Sequence, residues 1–286
     1  MKMIKWIFFS AVLGFFLESC EKDRSLETGL LSSDPSLIGN DCRISKISYA
    51  DSATSIPLGS IAATINSSDN VTDITKFDSL GMVIDFDVVP VYSGDTVFIN
   101  SREFFIRNSI TGQVKTFRGA TDPTDPTSAT FDVLYSYNAD NNLVNKSFSY
   151  TLTPATIYKD VTYTYTGANL THMVATDLTT GDITADADIS YYSNISAKNY
   201  LYLFPDEKEY AAYGQFFNFG KRPKNAVKTI SLQYYDTGVP VGSLTTSFLD
   251  YNISPDGYVV QVTMSGNDQP SLPVQHGRLK FSYFCR

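Results

Sequence analysis

The chain has 286 residues and a formal net charge of −8 at pH 7. An acidic balance of this size disfavours binding to nucleic acid and to anionic lipid surfaces. Aromatic residues make up 14% of the chain and charged residues only 18%, and the length suits one large β domain or two small ones.

An apolar segment stands at the N-terminus, where two lysines precede a nearly continuous apolar run from Trp6 to Leu17. The run is too short to span a bilayer, which needs about 20 apolar residues, and it fits a secretory signal peptide. It ends in "LESC", which resembles the bacterial lipobox except that Glu18 stands where a small residue is usual. The resemblance implies that residues 1–19 are removed as a lipoprotein signal peptide and that Cys20 carries lipid. The alternative is a buried cysteine in a hydrophobic helix.

Residues 20–40 are predicted to be a lipid-anchored tether, because they are rich in Ser, Leu, Gly, Asp and Asn without a clean period. The tract Glu21-Lys22-Asp23 directly follows the lipidation site, and Bacteroidota lipoproteins that reach the cell surface often carry such a charged tract there. Several acyl chains on Cys20 would anchor the protein stably, whereas a single chain is marginal. We therefore expect a lipid-anchored protein of the cell outer membrane that is exposed at the surface.

Two cysteines remain once Cys20 is assigned to lipid, namely Cys42 and Cys285 at opposite ends of the folded region. An exported protein meets an oxidising compartment in which disulfides persist. A disulfide needs Cα atoms within roughly 7 Å of each other, so a Cys42–Cys285 bridge would place the first and last strands, or their ends, side by side. The alternative is two separate, buried, reduced thiols.

Apolar and polar residues alternate over most of residues 41–286, as in "FDVLYSY" (131–137) and "VTYTYT" (161–166). This alternation is typical of half-buried antiparallel strands. Links such as "SITGQ", "NADNN", "TGAN" and "SPDG" separate the runs and predict hairpins. Residues 41–286 are thus predicted to form a single β domain. The stretch "TDPTDPT" at 121–127 is the best internal boundary, because proline donates no ladder hydrogen bond and cannot lie in a central strand.

One segment breaks this rhythm, the stretch "PDEKEYAAYGQFFNFGKRPKN" at 205–225. Asp206 can cap a helix and Glu209 follows three residues on, which is the arrangement of a capping box. A short helix near 206–213 is therefore predicted.

A loose repeat runs through the chain, in which Tyr-x-Tyr precedes a turn and further strand, as in "YSYNADNNLVNKSFSY", "YTYTGANLTHMVAT" and "FLDYNISPDGYVVQVTM". Each unit is one hairpin that cannot bury its apolar face alone, so the hairpins must stack. Together with "LESC", "CRISKISY" and "FNFGKRPKNAVKTI", they resemble a Bacteroidota lipoprotein family of unknown function with a porin-like fold and YD-repeat-like β-hairpins. The resemblance covers residues 40–286 and implies a long, strongly curved antiparallel sheet without catalysis.

The predicted fold class is all-β, a large curved or barrel-like antiparallel sheet of serial hairpins with one short helix near 206–213. About a dozen strands exceed what a flat twisted sheet tolerates before it curls or closes. Closure would also remove exposed sheet edges.

The sequence contains no strong catalytic or metal-binding pattern. His172 and His276 stand in no zinc-binding spacing, and no G-x-S-x-G elbow or Walker A sequence occurs. Asp182, Asp186 and Asp188 could offer oxygen ligands to Ca²⁺, but the EF-hand spacing is absent and a solvated sheet edge explains them better. We expect no enzymatic activity, no metal and no cofactor.

Tyrosine-rich strand faces are the most suggestive feature for binding. The rings could line a concave surface and stack on a glycan or an apolar small molecule; the candidates are Tyr135, Tyr137, Tyr163, Tyr165 and Tyr234. The alternative is a core role, since tyrosine suits a half-buried strand with its hydroxyl reaching water.

The sequence therefore predicts a non-enzymatic cell-envelope lipoprotein, a binding or structural module at the outer membrane or cell surface. One alternative is a carrier of an apolar ligand or glycan in a Tyr- and Phe-lined concavity, and another is an unrecognised hydrolase. The membrane is contacted through the lipid anchor, nucleic acid is not expected as a partner, and a protein partner is left open. A hollow interior would favour the carrier. Carboxylates that converge in a cleft would favour the hydrolase, and a filled interior would favour the structural or protein-interaction module.

Overall fold

The computed structural model describes residues 42–122, 124–154, 156–204, 214–268 and 276–285, apart from the side chains of Asp85 and Phe86. The strands are β1 (Cys42–Ala50), β2 (Pro57–Ile65), β3 (Val71–Asp78), β4 (Val83–Val88), β5 (Val91–Ser93), β6 (Thr96–Phe98), β7 (Phe104–Arg107), β8 (Val114–Ala120), β9 (Thr130–Tyr137), β10 (Leu143–Tyr150), β11 (Ile157–Thr166), β12 (Asn169–Asp177), β13 (Ile183–Ser196), β14 (Asn225–Asp236), β15 (Val239–Ile253), β16 (Val259–Gly266) and β17 (Gly277–Cys285). The predicted signal peptide, tether and short helix all lie outside the described residues. Among those residues, no helix has the length and hydropathy that a membrane crossing requires.

The strands form one antiparallel sheet in which consecutive strands pair, with the exception of β4 and β5, and β1 pairs with both β2 and β17. The ladder is interrupted at one place among the described strands, because β4 pairs with β3 and β5 pairs with β6 but not with β4. Val89 and Pro90 separate these two strands, and Pro90 has no N–H to donate to a ladder. The sheet therefore wraps round on itself without closing, and the predicted all-β architecture of serial hairpins is confirmed.

The alternation in the sequence corresponds to the two faces of the sheet. In β11, Val161 and Tyr163 are buried, whereas Thr162 and Thr164 are exposed. The proline-containing stretch 121–127 lies in the connection between β8 and β9, which pair with each other directly.

Cys42 and Cys285 form the predicted disulfide, with their Cα atoms 3.9 Å apart. The two residues are directly opposite each other in the ladder between β1 and β17. The bond joins positions 243 residues apart in sequence, so it fastens the first strand to the last.

Antiparallel pairing places the connections alternately at two ends of the sheet. We call the end that holds the disulfide the cysteine end; its connections are 66–70, 108–113, 138–142, 167–168, 197–224 and 254–258. We call the opposite end the far end; its main connections are 51–56, 79–82, 121–129, 151–156, 178–182, 237–238 and 267–276.

Tyrosine hydroxyls join neighbouring strands near the cysteine end in a repeated arrangement. In each case the hydroxyl donates to the backbone carbonyl of a residue at or near the start of another strand, at 2.7–3.0 Å, and this is the adjacent strand in every pair except Tyr92–Val71, which joins β5 to β3; the pairs are Tyr92–Val71, Tyr137–Val114, Tyr191–Leu170, Tyr251–Val227 and Tyr283–Val259. The rings fill space on the inner face while the hydroxyls satisfy carbonyls beside the turns. This arrangement is a physical reason for the tyrosine-rich repeat in the sequence.

Candidate functional site

The space enclosed by the sheet holds an inner segment, which we define as residues 199–204 and 214–220 between β13 and β14. Every residue in it except Gly214 is buried. The ring of Tyr200 meets that of Phe281 in β17, with centroids 5.6 Å apart. The ring of Phe217 meets that of Phe105 in β7 at 4.9 Å. Because β7 and β17 are far apart in the ladder, the segment lies within the curve of the sheet.

Side chains supply the hydrogen bonds that the inner segment does not take from the sheet. The Gln215 amide donates to the Tyr202 carbonyl and accepts from the Tyr202 N–H, both at 3.0 Å. The Tyr202 hydroxyl donates to the Gly220 carbonyl at 2.8 Å and accepts from the Phe219 N–H at 3.1 Å. Since buried backbone groups are costly when unpaired, these contacts make it feasible to bury an irregular chain.

Arg222 links the two halves of the inner segment. Its guanidinium donates to the Tyr200 carbonyl at 2.6 Å and to the Gln215 carbonyl at 2.8 Å. The same group lies 4.2 Å from the centroid of the Tyr202 ring, a cation–π distance. This cation is therefore engaged within the fold.

Two of the tyrosines predicted to bind a ligand belong to β9. Tyr135 is buried, and its ring lies 5.2 Å from that of Phe219 in the inner segment. Tyr137 is half-buried and donates its hydroxyl to the Val114 carbonyl at 2.7 Å.

Tyr163 and Tyr165 belong to β11, and Tyr234 belongs to β14. The buried ring of Tyr163 lies 5.3 Å from that of Phe204 in the inner segment. Burial raises the pKa of the Tyr165 hydroxyl, and Tyr234 is half-buried at the border of the core. The structure thus places Tyr135 and Tyr163 against the inner segment, so a ligand could reach these rings only if that segment moved. Ligand binding by the five tyrosines stays a prediction.

A small polar cavity of about 20 Å³ lies at the cysteine end, with Arg43, Asp69, Tyr92, Arg107 and Asn218 among its lining residues. The Arg43 guanidinium donates to the Asp69 carbonyl at 2.6 Å, and the Arg107 guanidinium lies 5.0 Å from the Tyr92 ring centroid. Burial raises the pKa of the Tyr92 hydroxyl. This volume holds about one water molecule, so the cavity does not admit a sugar or a lipid chain.

The histidines pair with aspartates on exposed surface. The Nδ1 atom of His172 lies 3.0 Å from Asp188 and 3.6 Å from Asp186, across β12 and β13. His276 lies 3.0 Å from Asp268 at the far end. Within the residues that the structure describes, no group of three or more His, Cys, Asp or Glu side chains is arranged to hold a metal ion.

Sequence reasoning missed the residues of the inner segment. The stretches "YLYLF" (200–204) and "QFFNF" (215–219) are almost continuously apolar and do not alternate. A run that is apolar on every side is suited to burial on every side, and this signal could have marked the segment as buried without saying where it lies.

The fold resembles that of solved proteins from Bacteroides. A porin-like protein from Bacteroides uniformis matches with a TM-score of 0.57 at 14% sequence identity, over 84% of this chain and 96% of that chain. A porin-like protein from Bacteroides vulgatus matches with a TM-score of 0.49 at 13% identity, over 85% of this chain and 99% of that one. No family model matches the sequence, and no curated protein matches it either. The porin-like fold expected from the sequence is thereby confirmed, and the likeness concerns the fold alone.

Proposed function

We propose that the chain is a non-enzymatic lipoprotein of the cell envelope, anchored to the outer membrane through Cys20 and acting at the cell surface as a binding or structural module. The apolar N-terminal run and the "LESC" motif support the anchor. The Cys42–Cys285 disulfide supports residence in an oxidising compartment outside the cytoplasm.

The filled interior is the observation that carries the proposed role. The inner segment occupies the space in which a carrier would hold its ligand, and its side chains complete hydrogen bonds among themselves. Because the interior is filled by the chain itself, the outer surface of the sheet and its connections are the parts available for contacts with other molecules. This arrangement favours a structural or protein-interaction module over a carrier.

Fatty-acid labelling of cells that express the wild-type chain or the Cys20→Ala variant tests the anchor. The wild type should take up an alkyne-tagged fatty acid, sediment with the outer membrane and be digested by protease added to intact cells. The Cys20→Ala variant should lose the label and its sedimentation with the outer membrane. The variant with both Cys42→Ser and Cys285→Ser is the matched control, since it removes two cysteines and should keep the label. An unlabelled wild-type chain would refute the anchor.

A further inference from the structure

An apolar arc of exposed aliphatic side chains lies at the far end of the sheet. These side chains are 40–96% exposed, and the arc consists of Leu152, Ile157, Leu178, Ile183, Val239 and Val241. Together they expose on the order of several hundred Å² of apolar surface, an area that on soluble proteins often marks an interaction site.

Strand pairing makes the residues of the apolar arc neighbours. The Leu178 N–H donates to the Tyr158 carbonyl at 2.8 Å, which ties the connection after β12 to the start of β11. Ile183 pairs with Thr176 across β12 and β13, and the next hairpin, between β14 and β15, carries the two valines. The arc is therefore continuous over three adjacent connections.

The β14–β15 hairpin ends in an exposed tip. Its two-residue turn, Thr237 and Gly238, has positive φ at both positions (48° and 76°), the geometry that suits a tight hairpin. All residues from 236 to 243 are exposed, so neither face of this tip packs on the core. Val239 and Val241 are 60% and 62% exposed, which leaves most of each side chain available to a partner.

The charge around the apolar arc is negative. Asp177, Asp182 and Asp236 stand beside it and outweigh the cation of Lys159, which lies opposite Asp177 in the ladder with its ammonium 4.8 Å from the centroid of the Phe148 ring. Hydrogen bonds from Thr179 lower the pKa of the Asp177 carboxyl, so it stays ionised at neutral pH. Two copies meeting through the same arc would bring like charges together, and an anionic lipid surface would be repelled.

We infer that the apolar arc is a docking surface for a partner polypeptide that presents an aliphatic patch surrounded by lysine or arginine. Apolar burial would supply the affinity, and the aspartates would orient a cationic partner and speed its approach. The inference rests on the proposed role as a binding module and names the chemistry of the partner.

The test uses the purified mature chain, residues 20–286 with Cys20→Ala, and, as a probe, a short amphipathic helical peptide of leucine and lysine. The arc variant Leu152→Asn, Leu178→Asn, Val239→Asn removes apolar surface without changing charge. The matched control Leu134→Asn, Leu249→Asn, Val260→Asn alters equally apolar, exposed positions on the outer strand faces. Calorimetric titration measures binding, and thermal unfolding verifies that both variants fold.

We expect the arc variant to bind the probe about tenfold more weakly than the parent, while the control variant stays within about twofold. Added salt should weaken binding to the parent, and a leucine–glutamate peptide should not bind. Equal affinity of the arc variant and the parent would overturn the inference, as would binding of the acidic peptide. If the parent forms dimers in sedimentation and the arc variant does not, the inference is overturned in favour of a second copy. If the parent floats with phosphatidylcholine vesicles and the arc variant does not, it is overturned in favour of a lipid surface. Because the protein is lipid-free throughout, none of these results depends on the anchor.

Discussion

Tyr202 illustrates, at the scale of the residue, how one side chain stabilises a buried backbone that has no ladder partner. Its hydroxyl contacts the Gly220 carbonyl and the Phe219 N–H, and its own backbone is paired by the Gln215 amide. The residue is 2% exposed, so water cannot replace a lost hydrogen bond. A buried polar group left unpaired costs about 1–3 kcal/mol.

Replacement of Tyr202 by phenylalanine should therefore lower the free energy of unfolding by about 1–3 kcal/mol, because the ring is kept and two backbone groups lose their partner. Urea denaturation followed by circular dichroism measures this change. Tyr150→Phe is the control, since Tyr150 is 46% exposed and should change stability by less than about 0.5 kcal/mol. Equal effects of the two substitutions would contradict the role assigned to the Tyr202 hydroxyl.

At the scale of the element, tyrosines connect neighbouring strands and enclose the inner segment. Burial raises the pKa of the hydroxyl in Tyr191, Tyr200, Tyr251 and Tyr283 above the ordinary value of 10.0. In the unfolded chain these groups ionise near that ordinary value. The folded state therefore favours the neutral phenols, and the stability that this provides is complete below about pH 10 and is lost as the pH rises further.

An alkaline titration should separate two classes of tyrosine. Tyrosines whose pKa is raised by burial, among them Tyr191, Tyr200, Tyr251 and Tyr283, should ionise only in a cooperative step that coincides with loss of the β-sheet signal, and any ionisation that precedes this step should leave the sheet signal unchanged. Near-ultraviolet absorbance of tyrosinate and far-ultraviolet circular dichroism, recorded on the same samples, measure both events. Ionisation of all tyrosines in one step, with the sheet signal unchanged, would contradict this prediction.

At the scale of the whole molecule, the seam between β1 and β17 brings the two ends of the chain together. The disulfide lies at this seam, and the Asn199 side-chain amide donates to the Cys42 carbonyl from inside. The inner segment is thus attached to the strand that begins the sheet. A covalent link between positions so distant in sequence restricts the unfolded chain strongly.

Replacement of both Cys42 and Cys285 by serine should lower the free energy of unfolding by about 2–5 kcal/mol, because the unfolded chain regains the freedom that the link removes. Guanidinium unfolding of the variant and of the wild type, each with and without reductant, measures the loss. Reductant should bring the wild type to the stability of the variant and leave the variant unchanged. The Cys20→Ala chain should keep the full stability, since the disulfide joins Cys42 and Cys285 and does not use Cys20.

The strand pattern could be predicted from the sequence because it depends on information that the chain carries locally, and the disulfide could be predicted because Cys42 and Cys285 are the two cysteines that remain once Cys20 is assigned to lipid. The alternation in "VTYTYT" places Val161 and Tyr163 on the buried face whatever the rest of the sheet does. The interruption between β4 and β5 was not predicted, although Pro90 beside it has no N–H to donate to a ladder. The sequence predicted that the candidate tyrosines could line a concave surface, but it did not predict that the inner segment packs against Tyr135 and Tyr163.

What the sequence by itself determined is the sheet: its alternating strands, its turn residues and the two cysteines that meet at its seam. Only the tertiary structure decided that residues 199–204 and 214–220 fill the interior and that aliphatic side chains gather at the far end. The alternation of buried and exposed side chains depends on neighbouring residues only, because successive side chains of a strand point to opposite faces of the sheet. Which residues fill an enclosed space, and which side chains meet at its rim, depends on how all the strands are arranged together. No single stretch of the chain contains that information.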